Sequence, residues 1–435
     1  MQLGNHFLLQ KAFREHHNFP YGEEIPEHID LSQNKGIIYF KEKLDSICVS
    51  ISSTRMLQTN YYVGVDWIDK SSAIYVEPKL NNGNNQTDYL KMLFSALRHP
   101  DVANYTDDLF EIKWDDAPII IEQTQDLLTP LLVVQFLKIV QQIVRKGLKK
   151  SYYKVEYNLY GKVKGKINVG QTIKKNLLKN KPLHTYCSYD EFGLNGLENR
   201  LLKKALVFVQ RYLPSLKILK AEAYTTNVFN FINPAFEFVT EEVSLHDVKH
   251  TKTNIFYKEY EEAVRLAKII LKRFGYNISN TDKHTKITTP PFWIDMSKLF
   301  ELYVLGILKD KYYSEVVFQF QANYGRPDFL LKNLKIIADA KYKIYHKEDI
   351  KGIAQWKRDA IVKDIRQLSG YSRDLGVLEK LGFKSEGEMV IKVVKCLIIY
   401  PDQTGKESLW DNTESPIEGF VEFYKRAIKL PEISN

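Results

Sequence analysis

Short apolar runs separated by turn residues characterise the first quarter of the chain. These runs are residues 37–40, 47–51, 61–65 and 73–76. Runs of this length between turn residues are typical of β-strands, so the pattern predicts a β-rich module over residues 1–116. An Asn-rich loop at 81–86 interrupts the pattern, and Thr87 or Asp88 is placed to cap a helix that continues to about Arg98.

From Pro118 onward the apolar residues recur at helical spacing. The main segments are 131–148, a helix that begins at 198–206, and about 256–274. Gly147 is suited to end the first of them, because glycine readily adopts the left-handed conformation of a helix C-terminus. We therefore predict a mainly helical middle domain over residues 117–285, which ends in the polar, Pro-Pro-terminated stretch 277–291.

The last region, residues 286–435, combines both patterns. An apolar helix is predicted at 296–308, a β-hairpin at 328–341, an apolar strand at 390–400 and a closing helix at 418–427. This alternation predicts an α/β C-terminal domain. The whole chain is thus expected to be an α+β protein of three domains, a number that suits its 435 residues.

Composition narrows the class of protein. The chain is 44% hydrophobic and 26% charged, which is ordinary for a folded soluble protein. Its three cysteines are widely spaced and form no zinc pattern, which favours a reducing compartment. The beginning shows no secretory signal, and we judge the apolar segment 130–144 too polar to span a bilayer. We therefore expect a cytoplasmic protein without a membrane partner.

The net charge of +9 is concentrated in one stretch. Residues 141–181 hold twelve Lys or Arg and one acid, so they are +11, and the remainder is −2. Residues 162–169 alternate Lys with apolar residues, which predicts a strand with one basic face. The candidate DNA-binding residues are Lys162, Lys164, Lys166, Lys174 and Lys175. The alternative is an edge strand whose lysines prevent pairing with other strands.

The hairpin at 328–341 carries the candidate chemistry. With its turn centred on Asn333 and Leu334, Leu330 pairs with Ile337, and Asp328 faces Asp339. Directly opposed Cβ atoms in a sheet are roughly 5 Å apart, so two carboxylates at this distance can share a divalent cation.

Lys341 lies on the same face of the strand as Asp339. Two opposed carboxylates repel each other unless a cation or the lysine neutralises them. Mg²⁺ suits such a site, with Mn²⁺ as the alternative, and Lys341 can position or deprotonate a water or stabilise charge on a phosphate. The alternative is a surface hairpin with solvated charges.

Two further segments add candidate residues. Glu301 lies within the apolar helix 296–308, where a carboxylate is costly without a partner. Gln367 and Tyr371 are four residues apart, and therefore lie on one face of a helix. A partly exposed glutamate and an ordinary polar helix face remain alternatives.

In this order, the Glu, Pro-Asp, Asp-x-Lys and Gln-x3-Tyr elements resemble the PD-(D/E)xK nuclease core. The resemblance implies that Asp328, Asp339 and the backbone carbonyl of Ala340 bind the metal together with Glu301. It implies that Lys341 positions the attacking water. Gln367 and Tyr371 are then expected to orient DNA or the catalytic groups.

Further segments resemble the McrC family, the nuclease subunits of McrBC-type restriction systems that cleave DNA carrying modified cytosine. They are 145–148, 160–168, 189–192, 198–203, 300–301 and 339–341, with weaker likeness at 63–65 and 77–79. The resemblance implies a McrB partner, a hexameric AAA+ GTPase, to which the N-terminal module docks. The sequence has no G-x-x-x-x-G-K-[ST] phosphate loop, so we expect it to bind no nucleotide itself.

Two other functions are open at this point. In the first alternative the chain is an adaptor that only activates the partner, although an adaptor has no need of opposed aspartates. In the second it is a repair exonuclease of the same superfamily, which would depend on free DNA ends.

Overall fold

The computed structural model describes most of the chain. The described residues are 7–8, 13–14, 23–25, 36–80, 87–96, 99, 102, 105–106, 108–122, 128–212, 222–248, 257–275, 286–343, 353–383, 393–406, 408–411 and 413–432. The chain forms two compact units, and the first is discontinuous. Unit 1 comprises Met1–Leu128 and Asp282–Asn435, and unit 2 comprises Thr129–Thr281.

Among the described residues the strands are β1 (Phe7–Leu8), β2 (Phe13–Arg14), β3 (Glu23–Glu24), β4 (Ile37–Tyr39), β5 (Ile47–Ile51), β6 (Met56–Thr59), β7 (Tyr62–Trp67), β8 (Ser72–Glu77), β9 (Phe110–Ile112), β10 (Ile119–Glu122), β11 (Ser151–Tyr160), β12 (Lys166–Ile167), β13 (His184–Gly193), β14 (Lys286–Thr289), β15 (Phe292–Asp295), β16 (Val316–Phe318), β17 (Phe329–Leu331), β18 (Ile336–Ala340), β19 (Lys395–Pro401), β20 (Ser415–Pro416) and β21 (Phe423–Ile428). The helices are α1 (Tyr89–Ala96), α2 (Leu128–Lys146), α3 (Val169–Lys175), α4 (Leu197–Tyr212), α5 (Glu222–Ile232), α6 (Lys258–Gly275), α7 (Met296–Tyr312), α8 (Ile353–Tyr371) and α9 (Leu375–Lys380).

One sheet of unit 1 joins distant parts of the chain. Its order is β1-β8-β7-β15-β9, with β2 also paired to β8. The strand β15 comes from the C-terminal half and pairs antiparallel with both β7 and β9. Gly64 permits this approach, since a Cβ there would be 2.0 Å from the Phe292 carbonyl oxygen. The predicted domains 1–116 and 286–435 thus both fall within unit 1.

A second sheet, β3-β6-β5-β4, completes the N-terminal part. The fully buried Trp293 packs with residues of both sheets, including Val49 and Ile74. The strand predictions at 47–51, 61–65 and 73–76 are confirmed to within a residue or two at each end. Asp88 rather than Thr87 caps α1, because its Oδ1 accepts a hydrogen bond from the Lys91 backbone N–H. The predicted loop 81–86 lies outside the described residues.

The sheet that carries the candidate chemistry has the order β16-β17-β18-β19-β21-β20. β16, β17 and β18 are antiparallel neighbours, whereas β18, β19 and β21 run parallel. Buried Ile365 and Leu368 of α8 belong to the apolar core against this sheet. The predicted closing helix 418–427 is wrong, because Phe423–Ile428 pairs with β19 as a strand. The predicted strand at 390–400 is found as β19.

Unit 2 combines helices α3–α6 and most of α2 with the sheet β11-β13-β12. Gly147 follows α2 at a φ of +93°, which confirms the predicted helix end. The predicted strand 162–169 is largely wrong. Gly161 and Gly165 have φ values of +64° and +66°, which interrupt an extended chain, and only Lys166–Ile167 forms a strand.

Asn168 then ends any strand by capping α3, and its side chain accepts a hydrogen bond from the Gln171 backbone N–H. The predicted linker 277–291 is also revised where the structure describes it. Residues Lys286–Thr289 form β14, which pairs antiparallel with β10, and 277–285 lie outside the described residues.

Among the described helices, α2 alone is long and apolar enough to cross a membrane by length and composition, contrary to the expectation that 130–144 is too polar. Within the protein, 72% of that apolar window is buried. Its apolar surface therefore serves the protein core, as in a buried helix of a folded domain.

Candidate active site

The hairpin of β17 and β18 forms with the predicted register. Phe329 lies opposite Ala338, and Leu330 opposite Ile337. One step beyond these pairs, the Asp328 carboxylate accepts a hydrogen bond from the Ala340 backbone N–H, with Oδ2 2.8 Å from the nitrogen. Asp328 is therefore fixed across the hairpin, beside Asp339.

Asp339 is a buried carboxylate, with its side chain 1% exposed. Neither of its oxygens has a hydrogen bond of normal geometry, but Oδ2 lies 2.5 Å from the ammonium nitrogen of Lys341. A buried carboxylate without a hydrogen bond is costly, so this ion pair is its main compensation.

The electrostatics of the site follow from burial and from the proximity of like charges. Burial, with the neighbouring Asp339 and Glu301 carboxylates, raises the pKa of Asp328 well above its ordinary value. Burial also raises the pKa of Glu301, although Lys298 and Gln319 partly oppose this. Asp328 thus holds its proton more tightly than an exposed aspartate does.

Burial lowers the pKa of Lys341, but Asp339 and Asp328 raise it by more, so the net shift is upward. Lys341 is therefore a cation at neutral pH in this arrangement. Of the roles open to it, positioning a water and stabilising phosphate charge fit better than removing a proton.

Glu301 projects from α7 and is held by two residues. Its Oε1 accepts a hydrogen bond from Gln319 Nε2 at 2.7 Å, and its Oε2 lies 3.6 Å from Lys298 Nζ. The glutamate in the apolar helix therefore has partners, as its burial demands.

Helix α8 brings Gln367 and Tyr371 to the site, as their spacing predicts. Gln367 Oε1 accepts a hydrogen bond from Lys341 Nζ at 3.0 Å, and its Nε2 donates to the Tyr371 hydroxyl at 3.2 Å. A continuous chain of contacts thus runs from Asp339 through Lys341 and Gln367 to Tyr371. Gln367 orients a charged group of the site directly, and Tyr371 orients Gln367.

The donor set fits a hard cation that is bound mainly by two carboxylates. The Asp339 oxygens are buried without hydrogen bonds, and Asp328 lies across the hairpin from them. Throughout the described part of the chain, no three His, Cys, Asp or Glu side chains are grouped closely enough to bind one metal ion. A pair of carboxylates suits Mg²⁺, because this ion is usually bound by one or two carboxylates and keeps several of its waters. Glu301 as a ligand stays a prediction.

Three supporting contacts were not foreseen. Gln319 precedes the motif and has no spacing signal. The ammonium of Lys343, three residues after the end of β18, binds Asp364 of α8 at 2.7 Å. The third contact involves Lys79, whose ammonium donates to the Tyr342 carbonyl oxygen at 2.7 Å and stacks on that ring at 3.7 Å. The family likeness of segment 77–79 does not by itself indicate this contact with Tyr342.

The five candidate DNA-binding lysines of unit 2 are all exposed. Lys164 pairs with Glu191 at 3.1 Å and lies over the Tyr189 ring, whereas Lys175 lies over Tyr186. They are presented from the loop 161–165, from β12 and from α3, so they do not form the single strand face that alternation predicts.

Comparisons with known proteins place these residues in context. The family model described as "McrBC 5-methylcytosine restriction system component" matches residues 57–379. This match covers more than half of the chain and includes every candidate residue of both units. No curated protein matches the chain.

Two similar solved structures are both from Thermococcus gammatolerans. The first is a half-complex of McrB AAA+ hexamers with bound McrC, at 16% identity and a TM-score of 0.35, over 88% of this chain and 80% of that one. The second is the McrBC complex, at 15% identity and a TM-score of 0.27, over 61% of this chain and 72% of that one.

Proposed function

Because the chain belongs to the McrBC 5-methylcytosine restriction family, we propose that it is the nuclease subunit of a modification-dependent restriction complex. The observation that carries the proposal is the convergence of Asp328, Asp339 and Lys341 on one hairpin, next to Gln367. A buried and a partly buried carboxylate, paired with a single ammonium, are costly to fold, and a phosphodiester hydrolase requires such an arrangement.

The reaction proposed is hydrolysis of a DNA phosphodiester. A water attacks the phosphorus, a P–O bond breaks, and the products are a phosphate monoester and a hydroxyl. When bound by Asp328 and Asp339, with the Ala340 carbonyl adjacent, Mg²⁺ or Mn²⁺ supplies Lewis-acid activation and neutralises phosphate charge.

The protein's own residues do the remaining work. Lys341 places a fixed positive charge where negative charge develops on the phosphate, and Gln367 holds the ammonium in that position. Gln319 fixes Glu301 by a hydrogen bond, and the Glu301 carboxylate is near enough to help raise the pKa of Asp328. In unit 2, the exposed lysines of 141–181 neutralise phosphates along the DNA.

A partner is part of the proposal. The family description calls its members components of a system, and the sequence has no phosphate loop. We propose that a McrB-like AAA+ GTPase hexamer recognises the modified DNA and activates this chain, and that this chain stimulates it in return.

The test is cleavage of methylated and unmethylated plasmid in Mg²⁺, with and without GTP and the AAA+ protein expected to be encoded beside this chain. Asp339→Ala removes a proposed ligand, and Asp310→Ala is a matched control at an exposed aspartate that binds His99 instead. Cleavage that needs the partner, GTP and methylation, and that is lost only in Asp339→Ala, supports the proposal.

Other outcomes select the alternatives. Restriction that persists in complexes of Asp328→Ala and Asp339→Ala would establish an adaptor. Cleavage by this chain alone that requires free DNA ends would establish an exonuclease.

A further inference from the structure

The segment between β16 and β17 forms a tight hairpin whose end carries an exposed aromatic residue. The Gln319 backbone N–H donates to the Asp328 carbonyl oxygen at 2.8 Å, and that of Ala322 donates to the Gly325 carbonyl oxygen at 3.0 Å. Asn323 and Tyr324 are therefore the two residues of the turn, and Gly325 has a φ of +106° that favours glycine. We call residues 322–325 the tip turn.

The Tyr324 side chain is 91% exposed, the largest exposed fraction among the described large apolar residues. A single exposed ring is common on protein surfaces, so the case for a contact depends on how the turn beneath it is held and on its neighbours. Among the residues that the structure describes, the hydrogen bonds of the tip turn are made by its backbone and by the Asn323 side chain rather than by the Tyr324 ring.

That backbone is held firmly. The buried Asp374 carboxylate accepts hydrogen bonds from the Asn323 backbone and side-chain nitrogens, at 2.9 and 3.0 Å, and from the Tyr324 backbone N–H at 3.3 Å. Its Oδ1 also caps α9. A fixed backbone beneath an exposed ring is the arrangement that a preorganised contact needs, because little conformational entropy is lost on binding.

The tip turn is also connected to the catalytic residues. The Tyr371 hydroxyl accepts a hydrogen bond from the Arg326 backbone N–H at 3.3 Å. A side chain at Gly325 would come within 2.9 Å of the Tyr371 ring. Since Tyr371 also binds Gln367, one tyrosine links Lys341 of the site to the base of the tip turn.

The neighbouring charge indicates what the ring binds. Arg326 is exposed, and its guanidinium lies 3.5 and 3.4 Å from the neutral side-chain oxygens of Gln319 and Gln321. Within the described residues no carboxylate pairs with Arg326. Tyr324 and Asp328 are four residues apart, which is at most about 14 Å of chain, or roughly four nucleotide steps along a strand.

We infer that the tip turn binds a nucleotide of the DNA strand beside the cleaved bond, with Tyr324 stacked on a base and Arg326 on a phosphate. An aromatic face accepts any base, and a guanidinium pairs with phosphate through two parallel hydrogen bonds. This inference rests on the proposed nuclease function. It adds a contact with a base and a phosphate of the DNA strand, whereas the carboxylate motif acts only at the cleaved bond.

The experiment uses the full chain and a labelled single-stranded oligonucleotide containing one 2-aminopurine, in chelator to prevent cleavage. Affinity is measured by fluorescence anisotropy, and stacking by quenching of the 2-aminopurine. We expect Tyr324→Ala and Tyr324→Leu to bind about tenfold more weakly, with less quenching, and Tyr324→Phe to match the native chain.

Tyr313→Ala is the matched control, since that tyrosine is 65% exposed and lies on a different turn. Thermal melts establish that the variants fold. Native affinity and native quenching in both Tyr324→Ala and Tyr324→Leu would overturn the inference. Plasmid cleavage by Asp339→Ala, measured in parallel, separates the two proposals: if it persists while Tyr324→Ala loses binding, the nuclease function fails and the tip-turn contact stands.

Discussion

The acidic site of unit 1 and the five candidate DNA-binding lysines of unit 2 hold charge in opposite ways. We call these five residues the lysine strip: Lys162, Lys164, Lys166, Lys174 and Lys175. Asp339 is buried, paired with one ammonium, and connected to α8 through a chain of side-chain contacts. Lys162, Lys166 and Lys174 are exposed, and the contacts of Lys164 are with an exposed glutamate and a tyrosine ring. In the first region each charge is stabilised by a specific neighbour. In the second, each lysine is proposed to neutralise DNA phosphate largely independently, so that the effect grows with the number of lysines.

The largest difference is expected in cleavage. Asp339→Ala should lower the cleavage rate of the active complex by at least about a hundredfold, because preorganised charge in a buried site is worth several kcal/mol to a transition state. A single Lys166→Gln change should leave that rate within a few fold. Initial rates on methylated plasmid measure both, and equal losses in the two variants would contradict the distinction.

The second-largest difference between the two regions is expected in the free energy of unfolding. Lys341→Met leaves the Asp339 carboxylate buried without its cation and should lower the free energy of unfolding by about 3 kcal/mol. Adding Asp339→Asn should recover most of this loss. Lys164→Met, which also breaks an ion pair, should change it by less than about 0.5 kcal/mol. Urea denaturation measures all four chains, and failure of the double variant to recover would show that the pair is not the cause.

The pH dependence of stability tests how burial changes the pKa of Asp295, which lies at the start of the helix that carries Glu301. Burial raises the pKa of Asp295, which caps α7, to about 6 from an ordinary 3.8. The folded state therefore holds this proton more tightly, and stability falls as pH rises between 3.8 and 6. Asp295→Asn keeps the cap and should be more stable than the native chain at pH 8 by about 1–2 kcal/mol, with partial exposure allowed for.

Well below pH 3.8 that difference should disappear, since the Asp295 carboxyl is then neutral in both the folded and the unfolded state. Denaturant midpoints at about pH 3 and pH 8 measure it. A constant difference at both values would point to packing rather than to ionisation.

The smallest effects belong to single lysines of the strip. Each of Lys162→Gln, Lys164→Gln and Lys166→Gln should reduce the slope of log affinity for DNA against log salt by about 1, and the triple variant by about 3. Lys272→Gln, at an exposed lysine of α6 in the same unit, should leave the slope unchanged. A triple variant with the native slope would remove these lysines from the DNA contact.

The same contrast explains which predictions succeeded. The hairpin register followed from a short turn and from period-two alternation, so the sequence predicted that Asp328 and Asp339 would lie together. The four-residue spacing of Gln367 and Tyr371 likewise predicts one helix face. These features depend on local geometry, which neighbouring residues determine.

The failures depended on contacts between distant residues or on backbone conformation. Alternation at 162–169 did not reveal that Gly161 and Gly165 take positive φ values. The helical pattern at 418–427 was overridden by pairing with β19. Lys79 reaches Tyr342 from a segment far from the motif, and Gln319 binds Glu301 of another element, and no spacing rule connects either pair.

The position of β15 in the first sheet determines when that sheet can form during synthesis. β15 lies between β7 and β9, so a nascent chain that ends before residue 292 lacks an inner strand of that sheet. All of unit 2 emerges from the ribosome in the meantime and can fold as a compact unit first. The strands that carry Asp328 and Asp339 come later still, followed by β19 and β21. A product that ends before β18 therefore lacks the proposed nuclease centre, and only a chain that extends through β21 can complete its sheet.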